Sequence, residues 1–310
     1  MYSKYYKVAG ITLEVRSEVP ITANTFHPKF RLFEVEGAGD DNVLIRHHVS
    51  SSHVAGVTET NKKEIYHKDQ WRIFKTDESW IYEFKSIFPI DPGHCAMGVF
   101  SEDHRTVDIY PYDMKPETYQ NGLFGALTLF NSDQVLFSKL LCDRNGLIIH
   151  SNGFDINGQG ILLAGESGVG KSTLSAMLKQ QGAKILCDDR MFVTATQSGC
   201  RIHGNWCHGT VPDTSAGSVP LAAVLFLEQF AGNQIEEIHE KKGVTRHLLR
   251  ALVHPFLPPE GWDKTFDIIA TLVRQVRCYR VKFDLSGNIG GMIGALVESP
   301  DRPGVQGGKP

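Results

Sequence analysis

The stretch ILLAGESGVGKSTLSAMLKQQGAKILCDD, residues 161–189, decides the fold. Its centre fits the pattern G-x-x-x-x-G-K-[ST], the Walker A motif, through Gly165, Gly170, Lys171 and Ser172. An apolar run precedes the glycines and a helical pattern follows them. In that arrangement, backbone N–H groups and the helix dipole together can hold a phosphate. The stretch therefore predicts a strand, a phosphate-binding loop and a helix within an α/β core.

The loop predicts the ligands as well as the fold. Lys171 is expected to reach the β- and γ-phosphates of a nucleotide, and the Ser172 hydroxyl is expected to ligate Mg²⁺. We therefore predict ATP and Mg²⁺ as cofactors. The predicted nucleotide-binding residues are Gly165, Glu166, Ser167, Gly168, Val169, Gly170, Lys171, Ser172 and Thr173.

Two adjacent carboxylates, Asp188 and Asp189, follow the next apolar run. The eleven helical residues 171–181 carry the chain about 16 Å away from the loop. The extended residues 183–188 cover about 17–20 Å, which returns the carboxylates to the loop if the strand runs back along the helix. One carboxylate could then face the metal while the other accepts a proton from an attacking hydroxyl. An acidic turn solvated at a strand end is the alternative.

Composition excludes several classes of function. The chain has 310 residues, a hydrophobic fraction of 41% and a net charge of -3, which gives no electrostatic case for nucleic acid. No apolar run approaches the roughly 20 residues that span a bilayer. The N-terminus lacks a signal-peptide apolar region, and six cysteines without a CxxC pair suggest reduced thiols, so we expect a cytoplasmic protein. His203, Cys207 and His208 could cluster on a metal, but a loop with incidental His and Cys is favoured.

The first part of the chain is predicted to be a β-rich N-terminal domain, residues 1–118, with an antiparallel sheet that could recognise the acceptor. The strands are predicted at residues 6–15, 29–36, 42–49, 70–76, 80–88 and 106–113. A kinase domain is predicted for residues 119–298, and a flexible tail for 299–310.

Within the predicted kinase domain, apolar residues at three- and four-residue steps predict a helix over 123–141. Asn157-Gly158 predicts a hairpin turn before the glycine loop. Beyond it we expect strands over 183–187, 221–229 and 278–285, and helices over 244–256 and 262–276. The loop HGNWCHGT, residues 203–210, is expected to close over an acceptor through Trp206 and His208.

The segment from His150 to Arg190 resembles the catalytic domain of HPr kinase/phosphorylase and its smaller related kinases. In that family a histidine precedes a hairpin, the loop reads G-[DE]-S-G-[VI]-G-K-S, and Asp-Asp follows one short helix; this chain has all three at that spacing. The resemblance implies an α/β (α+β) fold, with the P-loop core shared by ATP-dependent phosphoenolpyruvate carboxykinases. The signature EIRGLG after the acidic pair is absent, so the chain resembles the related kinases and not HPr kinases proper.

The resemblance also assigns roles. It implies that Lys171 and Ser172 bind phosphates and Mg²⁺, and that Asp189 is the general base for a serine hydroxyl. Asp188 would lie next to the metal, and His150 would tune the acidic pair. From the residues alone, a strand-end histidine without a role is the preferred interpretation of His150.

The leading interpretation is a cytoplasmic kinase that transfers the γ-phosphoryl group of ATP to a hydroxyl. The favoured acceptor is a serine of a protein, a peptide or a small molecule, with no nucleic-acid or membrane partner, and homo-oligomerisation stays open. One alternative is a non-catalytic nucleotide-sensing or scaffold protein. Another is a P-loop ATPase of the transport type, although the LSGGQ signature is missing.

Overall fold

A computed structural model describes residues 1–49, 62–85, 96–130, 132–166, 168–207, 209, 213–230, 232–254, 259–284, 286 and 288–298. Within these residues, helices accompany two large sheets of nine strands each, which is an α+β architecture. The chain divides into two compact units, Met1–Arg144 with His254–Asp263, and Asn145–Val253 with Lys264–Pro310. The predicted tail, 299–310, lies outside the described residues.

The first unit contains the first nine strands of the chain, in the order β3-β1-β2-β4-β9-β8-β7-β6-β5. The β2–β4 and β4–β9 pairs are parallel and the others are antiparallel, so the sheet is mixed and not purely antiparallel as predicted. The strands are β1 (Tyr2–Val8), β2 (Ile11–Ser17), β3 (Glu34–Val35), β4 (Asn42–His47), β5 (Lys63–Lys68), β6 (Trp71–Lys75), β7 (Ser79–Phe84), β8 (Ala96–Ser101) and β9 (Thr106–Pro111).

Two segments of the first unit differ from their predicted structure. Residues 29–36 form a 3-10 helix, Pro28–Leu32, and the short β3, because Phe30 and Phe33 are both buried at a spacing of one 3-10 turn. The helix predicted over 123–141 begins only at Asp133, as α2 (Asp133–Cys142). The Asp133 carboxylate accepts hydrogen bonds from the N–H groups of Leu127 and Thr128, both at 2.9 Å, and so stabilises a turn before the helix.

The first unit extends past residue 118, where the sequence placed a domain boundary. The short helix α1 (Pro116–Asn121) is tied to β4 by a 2.9 Å hydrogen bond between the Tyr119 hydroxyl and His47 Nδ1. Arg144, at the end of the unit, donates from Nη2 to Asp41 Oδ1 at 2.7 Å. These non-local bonds attach residues 116–144 to the first sheet.

The second unit contains the other sheet, in the order β11-β10-β13-β14-β15-β18-β16, with β12 and β17 paired to β10. The parallel pairing of β11 with β15 closes a ring of five strands. Its strands are β10 (Gly146–Ile156), β11 (Gln159–Ala164), β12 (Lys184–Cys187), β13 (Arg190–Thr196), β14 (Gly199–His203), β15 (Ser218–Gln229), β16 (Gln234–Glu237), β17 (Leu252–Val253) and β18 (Arg277–Phe283).

Four further helices complete the described elements: α3 (Lys171–Gln180), α4 (Lys241–Ala251), α5 (Pro259–Gln275) and α6 (Asn288–Glu298). The sequence predicted α3, α4 and α5 but not α6. Helix α4 ends earlier than predicted, because residues 252–253 pair with β10 as a strand. None of the helices in the described ranges is long and apolar enough to cross a membrane.

Strand β11 lies between two hydrophobic clusters, which fixes the position of the glycine loop. Leu162 and Ala164 face one cluster, while Ile161 and Leu163 face the other together with Leu174 of α3. This alternation is that of a strand buried on both faces. The β10–β11 hairpin turns at Asn157 and Gly158, both with positive φ, as the sequence predicted.

Candidate functional site

The glycine-rich loop joins the end of β11 to the start of α3. Gly168 and Gly170 adopt φ values of 80° and 105°, a left-handed conformation that glycine tolerates. No described side chain forms a capping hydrogen bond at Gly170, the N-cap of α3. Within the described residues, the N-cap therefore supplies no side-chain acceptor to the N–H groups of the first helical turn. Such a turn can bind an anion.

Close packing holds this loop in place. A Cβ atom added at Gly170 would lie 2.8 Å from Cζ of Phe283, at the end of β18. One added at Gly165 would lie 2.8 Å from Cγ1 of Val169. Glycine at these positions thus permits the loop to approach the strand and to close on itself.

Lys171 folds back over the loop. Its Nζ donates to the carbonyl oxygens of Gly165 and Glu166, at 2.8 and 3.1 Å. Burial lowers the pKa of Lys171, and the negative charge of Asp189 acts in the opposite direction. The lysine and the second carboxylate of the acidic pair therefore lie within electrostatic reach of each other.

Asp189 is held by two cationic or potentially cationic groups. Its Oδ1 lies 3.1 Å from His150 Nδ1, and its Oδ2 accepts from Arg190 Nη1. Burial alone raises the pKa of the Asp189 carboxyl, but the His150 hydrogen bond and the Arg190 guanidinium outweigh it and keep the pKa below its ordinary value of 3.8. The side chain is therefore an oriented carboxylate at neutral pH.

The backbone explains why these groups meet. His150 on β10 pairs directly with Arg190 on β13, and Ser151 N donates to the Asp189 carbonyl oxygen at 3.0 Å. Sheet register thus brings a histidine within β10 into contact with an aspartate that follows β11, α3 and β12 in the chain.

Asp188 is buried, with only 6% of its surface exposed. Its Oδ1 accepts a 2.6 Å hydrogen bond from the N–H of Gly209. A Cβ added at Gly209 would lie 3.1 Å from Asp189 Cβ, so the segment after β14 passes close to both carboxylates. Ser172 and Thr173, in the first turn of α3, are exposed.

The described residues contain no group of three or more His, Cys, Asp or Glu side chains arranged to hold a metal ion. The metal interpretation of His203 and Cys207 therefore has no support within that part of the chain. His203 instead lies 2.9 Å from the Thr194 hydroxyl, and burial lowers its pKa to about 4. His208 and Ser167 lie outside the described residues.

The described part of the loop after β14 does not present Trp206 to an acceptor, as the sequence analysis expected. Trp206 is 1% exposed and belongs to the interior. Asn205 is fully buried, its Nδ2 donates to the Arg190 carbonyl oxygen at 2.7 Å, and its Oδ1 accepts from Cys207 N at 2.8 Å. The described part of the loop therefore supports the backbone of the acidic pair.

A cavity of about 720 Å³ lies beside the glycine loop. His150 and the loop form one side, and the end of β15 and helix α4 form the rest. The lining residues are His150, Ala164, Gly165, Glu166, Gly168, Val169, Phe226, Leu227, Glu228, His247, Arg250 and Ala251. The volume lies within the range of about 300–1,000 Å³ that small-molecule sites occupy.

Sequence reasoning missed three polar residues of this cavity: Glu228, His247 and Arg250. Ala164 pairs with Phe226 in the parallel β11–β15 register, so Glu228 emerges next to the glycine loop. Burial lowers the pKa of His247, and Arg250 lowers it further. No local motif identifies these residues. For Glu228, the available signal was that an acidic residue stands near the end of a second buried strand.

Asn152 is a further residue without a sequence signal. It is fully buried on β10, and its Nδ2 donates to the Ser175 hydroxyl at 2.7 Å. That hydroxyl donates to the carbonyl oxygen of Lys171 at 2.8 Å. The chain of bonds anchors the first turn of α3 to the hairpin.

Comparison with known proteins gives limited similarity. No curated protein matches the chain. A solved structure, the HPr(Ser) kinase/phosphatase from Coxiella burnetii, is 14% identical, with a TM-score of 0.29, over 48% of this chain and 87% of that chain. Residues 126–253 match the family described as SynChlorMet cassette protein ScmC, a range that includes the glycine loop, the acidic pair and α4.

Proposed function

We propose that the chain is an ATP- and Mg²⁺-dependent kinase that transfers a phosphoryl group to a hydroxyl, with a serine of a protein, peptide or small molecule as the favoured acceptor. The observation that carries the proposal is the setting of Asp189. An ionised carboxylate, oriented by His150 and Arg190, lies within electrostatic reach of Lys171 at the head of a glycine loop.

The residues of the loop fit a nucleotide. The first turn of α3, which begins after the left-handed Gly170, would offer backbone N–H groups to phosphate oxygens. Lys171 would exchange its two loop carbonyls for phosphate oxygens. Bound ATP with Mg²⁺ would supply the phosphoryl group, and Ser172 and Asp188 would hold the metal, which typically takes one or two protein ligands beside phosphates and water.

Asp189 would act on the acceptor. A serine hydroxyl is a weak nucleophile at neutral pH, and a positioned base increases its reactivity by about 10²–10⁴-fold. Asp189 is deprotonated at neutral pH and can therefore accept the hydroxyl proton, and the His150 contact holds one oxygen so that the carboxylate cannot rotate freely. Asp189 is therefore the proposed catalytic base, and His150 is its positioning residue.

The cavity beside the loop offers room for the acceptor. Its lining includes the polar residues His150, His247 and Arg250. An acceptor group in it would lie next to the phosphate loop and to His150, which contacts the proposed base. A cytoplasmic location remains part of the proposal.

A transfer assay on the full chain tests the proposal. The protein is incubated with γ-labelled ATP, Mg²⁺ and a cell extract, and the labelled species are identified by mass. Lys171→Ala should weaken ATP binding by about 10- to 150-fold, the range for a charge-assisted hydrogen bond, and should abolish transfer.

The matched control is Lys179→Ala in the same helix, whose Nζ pairs with Asp213 at 2.8 Å. It should change neither ATP binding nor transfer. Unchanged ATP affinity in Lys171→Ala would remove the nucleotide site, whereas ATP binding without any transfer would favour a nucleotide sensor.

A further inference from the structure

One face of α4 carries three cations in a row. Lys242, Arg246 and Arg250 follow one another at four-residue steps, which places them on the same side of the helix. All three are exposed. The opposite side is apolar, with Val244 and Leu248 buried.

Within the described ranges, none of the three cations forms an ion pair or a side-chain hydrogen bond. Two other cations of the second unit do form ion pairs: Lys179 with Asp213, and Arg280 with Glu228, each at 2.8 Å. Like charges at four-residue spacing destabilise a helix, so an unpartnered row is a feature that folding alone does not favour.

The row leads to the proposed active site. A groove of about 510 Å³ runs along it, lined by Lys242, Thr245, Arg246, Leu249 and Arg250. Arg250 also lines the cavity beside the glycine loop. The cationic face is thus continuous with the place where the acceptor hydroxyl would lie.

The spacing of the cations selects a type of ligand. Four residues of α-helix rise about 6 Å, so neighbouring charges of the row are about 6 Å apart along the axis. Alternate side chains of an extended peptide point the same way and are about 6.4–6.8 Å apart. In an extended peptide with acidic residues at alternate positions, the spacing of the carboxylates therefore matches the spacing of the three cations. Leu249, which also lines the groove, offers an apolar contact to such a peptide.

We propose that the Lys242–Arg246–Arg250 face binds an acidic, extended segment of a peptide acceptor. The hydroxyl-bearing residue would follow the acidic segment beyond the Arg250 end and enter the cavity. The role of this face as an acceptor site rests on the proposed kinase function, but binding of the peptide can be measured without phosphoryl transfer.

The test is fluorescence anisotropy with the full chain at low salt. The probe is a short labelled peptide with glutamate at three alternate positions followed by serine, and the comparison peptide has glutamine in place of each glutamate. The wild-type chain should bind the glutamate peptide and not the glutamine peptide. The double variant Lys242→Gln/Arg246→Gln should weaken binding by about 2- to 30-fold, the range for two exposed ion pairs.

Lys241→Gln is the matched control, since Lys241 is also exposed on α4 but does not line the groove. It should leave peptide affinity unchanged. Equal binding of the two peptides, or an equal loss in the control and the double variant, would overturn the proposal. So would tighter binding of a single-stranded oligonucleotide with the same dependence on Lys242 and Arg246, which would make the face a nucleic-acid surface.

The two proposals fail in different ways. Peptide binding that depends on the cationic row, in a chain that transfers no phosphate, would refute the kinase and leave the acidic-peptide surface standing. Transfer to a serine acceptor with no preference for acidic neighbours, and no effect of the double variant, would refute the surface and leave the kinase standing.

Discussion

Asp189→Asn isolates the proposed chemistry from the architecture around it. Asparagine keeps the size of aspartate and one acceptor oxygen, but it cannot take a proton at neutral pH. Its oxygen can still accept from Arg190, and its amide can turn toward His150 Nδ1 as a donor. The local hydrogen bonds can therefore survive the loss of charge.

The expected effect is large on transfer and small on ATP binding. Loss of a positioned base slows transfer by about 10²–10⁴-fold, which corresponds to about 2.7–5.5 kcal/mol of activation free energy. The removed charge lies close enough to Lys171 to affect the pKa of that lysine. Because a negative charge near the loop repels phosphates, ATP affinity should be unchanged or slightly higher.

The assay is single-turnover transfer and ATP titration, both across a range of Mg²⁺ concentrations. Asp213→Asn is the control, because it also removes a carboxylate paired with a lysine, on the surface of the second unit. The control should behave as wild type. If Asp189→Asn transfers phosphate at the wild-type rate, or if its ATP affinity falls in parallel with transfer, the assignment of Asp189 as base is wrong.

Three further predictions concern the fold around the site and beyond it. Gly170→Ala should weaken ATP binding and lower stability by about 1–3 kcal/mol, since the residue has a φ of 105° and its Cβ would meet Phe283; a variant with wild-type ATP affinity contradicts this. Trp206→Ala should lower the free energy of unfolding by about 3–5 kcal/mol, because the side chain is 1% exposed; a urea titration showing no loss would restore the expectation that Trp206 faces an acceptor. Burial lowers the pKa of His47 from 6.5 to about 3, so its contribution to stability is complete above pH 6.5 and is lost as the pH falls toward 3. As the pH is lowered from 7.5 to 5, the free energy of unfolding should therefore decrease less steeply in His47→Gln than in wild type, with a difference in slope of up to about 1.4 kcal/mol per pH unit. Equal slopes would count against a neutral buried His47.

Short-range features followed from the sequence alone. The β10–β11 turn at Asn157-Gly158 has the positive φ values that its residue types favour, and β12 ends at the acidic pair as expected. Helix α3 begins at Lys171, directly after the glycines. These features depend on neighbours within a few residues, through turn chemistry, hydrophobic period and strand length, and such patterns are legible in a single sequence.

Predictions from local sequence patterns were wrong where buried side chains decided the backbone conformation. The apolar period over 123–141 is helical, yet the Asp133 carboxylate holds residues 127–128 in a turn. Residues 203–207 have the composition of an exposed loop, yet Trp206 fills the interior and Asn205 is bonded to the backbone of Arg190. Packing and satisfied hydrogen bonds overrode local composition in both cases.

What the sequence by itself determined is the chemistry available near the loop: Lys171, the acidic pair and the glycines that shape their surroundings. Only the tertiary structure decided which other groups join them. The register of β10 with β13 brings His150 to Asp189, and the parallel pairing of β11 with β15 brings Glu228 to the cavity. Helix α4 packs on the same core as these strands and so places Arg250 in the cavity lining. Contacts between elements far apart in the chain leave no local sequence pattern from which they could be predicted.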